Sequence, residues 1–251
     1  MNVRHAAFLS LTLLVTACAQ SADFGDGSVS QAVEPSLRAA AQAAESARDY
    51  KGAIQHLSTI YQRRPEDRAI GIVLARNLRY SGQAQGAADL MQDQLARFAK
   101  DADTLLELGK DYLAADRIGL AIKALEESRA LQPGNWEVHS TLGVALDSQG
   151  RAAEAQAAYG RALEITPDNA VVLNNLGLSQ ALAGRLDEAL ATMTRAADLP
   201  AGTAQIRQNL ALLLALKGDG AQAEKLMRRD LPPDQAKVNA EILRGLAAAV
   251  R

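Results

Sequence analysis

The sequence predicts an all-α fold, a solenoid of about six helix-turn-helix units, and three observations carry that prediction. The first is composition. Apolar residues make up 48% of the 251-residue chain but aromatics only 4%, so the apolar content is mostly Ala and Leu. Such a composition forms helices and lacks the β-branched and aromatic enrichment of strands. The second is a repeat. "LGVALDSQGRAAEAQAAYGRALEITP", Leu142 to Pro167, aligns with "LGLSQALAGRLDEALATMTRAADLP", Leu176 to Pro200, at an offset of 34 residues. The third is turn chemistry: glycines and prolines recur at fixed places in that period.

The chain opens with a targeting segment. Arg4, with His5, gives a short positive start, and Ala6 to Val15 is an apolar run too short for a stable membrane anchor. Val15-Thr16-Ala17-Cys18 resembles the bacterial lipobox. The resemblance implies cleavage after Ala17, transfer of diacylglycerol to the Cys18 thiol and acylation of the new N-terminus. More than one acyl chain gives durable anchoring. Cys18 is the only cysteine, so no disulfide forms within the chain. The alternative is an ordinary secretory signal with an incidental cysteine. No ligand cluster accompanies Cys18, which argues against a catalytic or metal-binding thiol. Ala19 follows it rather than Asp. By resemblance to Gram-negative lipoproteins, the expected destination is the periplasmic face of the outer membrane.

Residues 18–33 read as the lipidated cysteine and a flexible tether rich in Gly, Ser, Asp and Gln. Fifteen such residues span about 20 Å root-mean-square. Removal of residues 1–17 leaves 26 basic against 29 acidic side chains, so neither a lipid-binding patch nor a nucleic-acid surface is expected.

The 34-residue period extends in both directions without a gap. Six units cover 34–67, 68–101, 102–135, 136–169, 170–203 and 204–237. Their eighth position reads Ala41, Ala75, Gly109, Gly143, Gly177, Ala211, and their twentieth reads Ala in all six, from Ala53 to Ala223. Small side chains let antiparallel helices approach closely. The twenty-fourth position reads Leu57, Met91, Leu125, Tyr159, Met193, Met227, large residues that fill the core. Gly82, Gly150, Gly184 and Gly218 fall between the helices of a unit, where a left-handed residue ends a helix. Pro65, Pro133 and Pro167 stand where second helices must stop. Pro232 and Pro233 come early and predict a short second helix in unit six. In residues 238–251, Val238, Ile242, Leu246 and Val250 recur every four residues and suggest a capping helix that closes the solenoid.

These columns resemble the tetratricopeptide repeat (TPR), over Glu34 to Lys237. The resemblance implies a right-handed α-solenoid whose first helices line a concave groove at the second, fifth, ninth and twelfth positions of each unit. The groove residues so implied are Arg38, Arg76, Arg79 and Lys110 in units one to three, and Val144, Val171, Leu178, Leu212 and Ala215 in units four to six. A basic half and an apolar half would suit an amphipathic helix or an extended peptide with an acidic end. Asn175 and Asn209 occupy sixth positions, but Ser140, Val144 and Gln205 do not complete the carboxylate clamp of chaperone-binding repeats. Those asparagines are expected to bond locally.

Chemistry is not expected. Once His5 is cleaved away only His56 and His139 remain, in different units. No catalytic grouping, metal site, phosphate loop, cofactor motif or small-molecule site stands out. A periplasmic enzyme is the disfavoured reading.

The C-terminal third narrows the partner. Arg207-Gln208-Asn209-Leu210, then Asp230-Leu231-Pro232-Pro233 with Asn239 and Leu243-Arg244, is similar to the TadD family of tight-adherence (Flp) pilus assembly lipoproteins. This likeness runs from about Trp136 to the end, with Ile242 where an aromatic would be unsurprising. It implies a scaffolding or pilotin-like role towards the outer-membrane secretin of a type IVb pilus or a related secretion machine. The alternative is a general envelope TPR lipoprotein that docks murein enzymes or outer-membrane assembly proteins.

Overall fold

A computed structural model describes residues 26–98 and 101–250. The described residues form thirteen α-helices and no strand: α1 (Asp26–Ser46), α2 (Tyr50–Arg63), α3 (Arg68–Tyr80), α4 (Ala84–Arg97), α5 (Ala102–Ala114), α6 (Ile118–Leu131), α7 (Trp136–Ser148), α8 (Ala152–Ile165), α9 (Ala170–Leu182), α10 (Leu186–Asp198), α11 (Ala204–Lys217), α12 (Gly220–Met227) and α13 (Pro233–Val250). Consecutive helices pack as antiparallel pairs. Each odd-numbered helix from α3 onward also meets the next odd-numbered one, from α3 on α5 to α11 on α13. The odd helices therefore line the inner side of the curve, and the even helices lie outside.

Local sequence explains where the helices start and stop. Asp67, Asp101, Asn135, Asn169 and Thr203 stand 34 residues apart, and each caps the helix that follows by accepting a backbone N–H. Such caps contribute about 1 kcal/mol apiece. Helices α2, α6 and α8 each end two residues before a proline. Between paired helices the backbone turns left-handed at Gly82, Gly150, Gly184 and Gly218, and also at Arg48 and Asp116. The latter two lack glycine's freedom, and Arg48 stands exposed at φ 57°. Arg48→Gly is expected to raise stability by about 1 kcal/mol, read as an increased urea midpoint.

The core is a row of local clusters rather than one mass. Small residues set the spacing. A Cβ added to Gly109 would come within 2.5 Å of Leu125, one on Gly143 within 2.5 Å of the Tyr159 ring, and one on Gly177 within 3.1 Å of Met193. Thus the eighth-position glycines seat the twenty-fourth-position side chains. Leu125, Met91 and Met193 are fully buried there, and Tyr159 nearly so.

Two boundaries differ from expectation. Helix α1 begins at Asp26, so residues 26–33 are helical rather than a tether, and Pro35 lies inside the helix. No Gly or Pro occurs between Ser28 and Glu34 to stop a helix, and an acid at the first residue suits the helix dipole. The final helix begins at Pro233 rather than Val238, with proline in the favoured first position. Its packed face is also not the one expected. Ala236 and Ala240 are fully buried, whereas Val238 and Ile242 are more than half exposed. Spacing identifies a face but not the side it turns inward. Here the small side chains allow the close approach to Ala211 and Ala223.

Candidate partner-binding groove

The ninth position of the repeat lines the inner side from unit two to unit six, and three depressions follow one another along it. The first, about 600 Å³, is polar and is formed by Arg76, Arg79, Tyr80, Lys110, Glu137 and Thr141. The second, about 280 Å³, lies between Val144, Asp147, Ser148, Tyr159, Asn175, Leu178, Ser179 and Leu182. The third, about 290 Å³, is built by Gln208, Asn209, Leu212, Met227, Asn239, Ile242 and Leu243. Of the sequence-predicted groove residues, Arg76, Arg79, Lys110, Val144, Leu178 and Leu212 come together here.

Three do not. Arg38 lies on α1 and pairs with Glu34 at 2.6 Å and Asp67 at 3.3 Å. Glu34 is also bonded by Arg64, and both arginines hold its carboxyl below the usual range. Val171 is 54% exposed but lines none of the three depressions. Ala215 is buried, so it is unavailable to a partner. The twelfth position belongs to the seam between successive first helices. Arg79 there reaches acids on α5, and Asp147 there accepts from the Ser179 hydroxyl on α9 at 2.8 Å.

The basic half is a correction. Arg79 forms ion pairs with Asp111 and, at 2.9 Å, with Glu107. Lys110 bridges Glu107 at 2.8 Å and Glu137 at 2.7 Å, and Arg76 reaches Glu107 at 3.5 Å. Three cations face three anions, so the first depression is a balanced ion cluster. Burial pushes the Glu107 carboxyl up, but Lys110 and Arg79 outweigh it and hold the group below its ordinary value. Asp111 goes the other way. Burial dominates over Arg79, and its carboxyl is pushed up to about 6. One Asp111 oxygen is buried without a hydrogen-bond partner.

The apolar half is open, and the charged side chain in its lining, Asp147, is engaged by the hydroxyls of Tyr159 and Ser179. Val144 is 36% exposed and Leu182, at the end of α9, 83%. Beneath them the Tyr159 hydroxyl donates to Asp147 at 2.9 Å. Burial and the neighbouring carboxylate push that phenol above its usual range. The amides satisfy one another: Asn209 donates to Asn174 at 2.8 Å, Asn174 to Asn175 at 3.2 Å, and Gln205 to Asn209 at 3.2 Å. His139 is buried against the Pro133 carbonyl at 2.8 Å.

Sequence reasoning missed Glu107, Asp111, Glu137, Tyr80 and Leu182. Glu107 and Asp111 occupy columns uncharged in every other unit, which is the signal that could have found them. Tyr80, Ser148 and Leu182 all occupy the thirteenth position, one turn beyond the ninth and on the same helix face. The motifs of the C-terminal third meet in space. Arg207 forks onto Asp230, with one bond of 2.6 Å, and also donates to the Gly202 carbonyl at 2.7 Å. Arg244 packs on Gly220. Cys18 and Ala17 lie outside the described residues.

Comparison with known proteins settles the fold. The family profile of the tetratricopeptide repeat matches residues 112–176, which hold α6, α7 and α8 with the end of α5 and the start of α9. The chain folds as a TPR solenoid. Among solved structures, a chain of the APC/C hetero-tetramer Cut9–Hcn1 superposes over 88% of this chain and 45% of that one, with a TM-score of 0.70 and 18% identity. TTC0263, a thermophilic TPR protein of Thermus thermophilus, covers 71% of this chain and 97% of its own, with a TM-score of 0.59 and 22% identity. MamA from Desulfovibrio magneticus RS-1 covers 66% and 94%, with a TM-score of 0.55 and 18% identity. No curated protein sequence matches the chain. At these identities the likeness concerns the fold of the TPR solenoid, its paired helices and inner surface.

Proposed function

We propose that this chain is a non-enzymatic protein-interaction scaffold of the bacterial envelope, lipid-anchored through Cys18 at the periplasmic face of the outer membrane. It acts in Flp (type IVb) pilus assembly or a related secretion system, where it captures a segment of the secretin or another assembly component. The observation that carries the binding reading is the run of apolar, uncharged side chains along the inner face: Val144, Leu178, Leu182 and Leu212 with Ile242. Three units and the last helix contribute to the apolar half of the groove, so an apolar partner segment would bury its contacts along several units at once. The ion cluster of units two to four is internally balanced and adds selectivity against like charge rather than net attraction. Support for the pilus assignment comes from the Arg207 and Asp230 motifs, and support for the anchor from the lipobox-like stretch ending in Cys18. Confinement at a membrane would raise the local concentration of groove and partner.

The experiment is photocrosslinking in cells from position 182, followed by identification of the captured protein. Capture of the secretin or another pilus component is the expected result. Capture of a murein enzyme or an outer-membrane assembly protein would favour the general envelope adaptor instead. Val144→Asp with Leu182→Asp should abolish the crosslinked species while the unfolding free energy changes by less than about 0.5 kcal/mol, since both side chains reach solvent. In the same cells, Cys18→Ser should release the protein from washed membranes; full retention would exclude the anchor.

A further inference from the structure

Helix α13 stands where a seventh unit would begin, because Val238 follows Ala204 by 34 residues. It packs on α11 and α12 as α11 packs on α9 and α10. In the preceding units the first helix is covered by its own second helix at two positions. At the eighth, Gly109, Gly143 and Gly177 lie under Leu125, Tyr159 and Met193. At the fourth, Gly71 lies 2.7 Å, counted from an added Cβ, from the Gln94 amide on α4, and Arg207 pairs with Asp230 in the turn that directly follows α12. Gln94 and Asp230 both hold the twenty-seventh position. In α13 the fourth and eighth positions are Glu241 and Gly245. Among the described residues nothing lies within 4 Å of a Cβ at Gly245. Val238, on the same side, is 52% exposed. Glu241 is half exposed, and among the described residues its ion pair is with Arg244, at 3.8 Å.

We propose that this face of α13 receives an α-helix from a partner protein, and that the solenoid itself specifies the pattern of that helix. The helix carries a small residue and, four positions later, a large apolar one, as all six second helices do at the twentieth and twenty-fourth positions. Three positions beyond the large residue it carries Lys or Arg, placed opposite Glu241 as Asp230 is placed opposite Arg207. The large residue seats over Gly245, and Val238 widens the apolar contact. A second copy of the chain does not supply this helix: its six such patterns are buried within their own units, and α13 lacks the pattern. The face lies opposite Ala236 and Ala240 and apart from the three depressions of the groove, so the proposal stands independently of the function proposed for the groove.

The test uses the full chain and a helix-stapled peptide of the α10 sequence, Leu186–Asp198, carrying Ala196→Lys so that Ala189, Met193 and the new cation present the pattern. Fluorescence anisotropy should show saturable binding. Gly245→Leu in the protein should weaken it at least about tenfold while leaving thermal melting intact, since the added side chain enters open space. Glu241→Lys should weaken that peptide and restore binding to one carrying Ala196→Glu. Unchanged affinity in Gly245→Leu, or indifference to both charge reversals, would overturn the proposal. So would a chain dimer in sedimentation that Gly245→Leu dissociates, because the occupant would then be a second copy.

Discussion

Tyr159→Ala is expected to destabilise the chain by about 3–5 kcal/mol, the range for deleting a buried aromatic side chain. Tyr159 is almost wholly buried, seats on Gly143 and donates its hydroxyl to Asp147. Asp147 in turn accepts from Ser179 on α9. The substitution therefore opens a cavity within unit four and removes one bond from the acid that joins units four and five. The complementary change, Gly143→Leu, drives a side chain into the ring and should cost about 1–3 kcal/mol. Gly150→Leu is not an equivalent control, because its φ of 75° strains any side chain. Gly160→Leu is one: it lies in α8 with open space around it and should be close to neutral or stabilising. Urea unfolding followed by circular dichroism measures all three. Equal effects at Gly143 and Gly160 would refute the close-packing account of the eighth position.

Arg79→Ala is expected to cost about 3–5 kcal/mol at neutral pH, because it strands the buried Asp111 carboxylate, while Glu107 keeps its pair with Lys110. The effect should depend on pH in a definite direction. The Asp111 carboxyl, pushed up to about 6 by burial, binds its proton more tightly folded than unfolded. Its contribution to stability is therefore greatest at low pH and is lost as pH rises from about 4 through 6. Arg79 is the group that opposes this rise, so the Arg79→Ala deficit should be larger at pH 8 than at pH 5. Glu107, held low, loses its contribution only as pH falls below the ordinary carboxylate range, a separate window. Asp111→Asn should remove the dependence between pH 4 and 6. A deficit equal at pH 5 and pH 8 would show that Asp111 does not titrate there.

The fold was legible because a repeat states its packing rules several times. Six alanines at the twentieth position and the large residues at the twenty-fourth point to one close contact, and Gly109, Gly143 and Gly177 show it. The charge of the groove was not legible from the lining positions alone. Arg76, Arg79 and Lys110 read as a basic surface until Glu107, Asp111 and Glu137 are brought opposite them by the stacking of α3, α5 and α7. Ala215 was misplaced because its short side chain stays buried in the seam between units, whereas the longer Arg79 and Asp147 of the same column reach the groove. Leu182 was missed because one further helical turn carries the inner face to the thirteenth position. The face of α13 was misread because Ala236 and Ala240 are weaker hydrophobic signals than Val238 and Ile242, yet only small side chains admit the neighbouring helices.

The row of local clusters has a mechanical consequence. Each unit is held by its neighbours alone, so tension on the N-terminal end loads the first helix pair before any other. That pair joins the stack through few large side chains: Leu57 and Ile60 on α2 meet Ile70 and Leu74, while α1 brings Ala41. It should peel first and release roughly 125–135 Å of contour for the residues from Asp26 to Arg63. A scaffold built this way yields under a pull by lengthening at one end, while the binding surface at the other end keeps its shape.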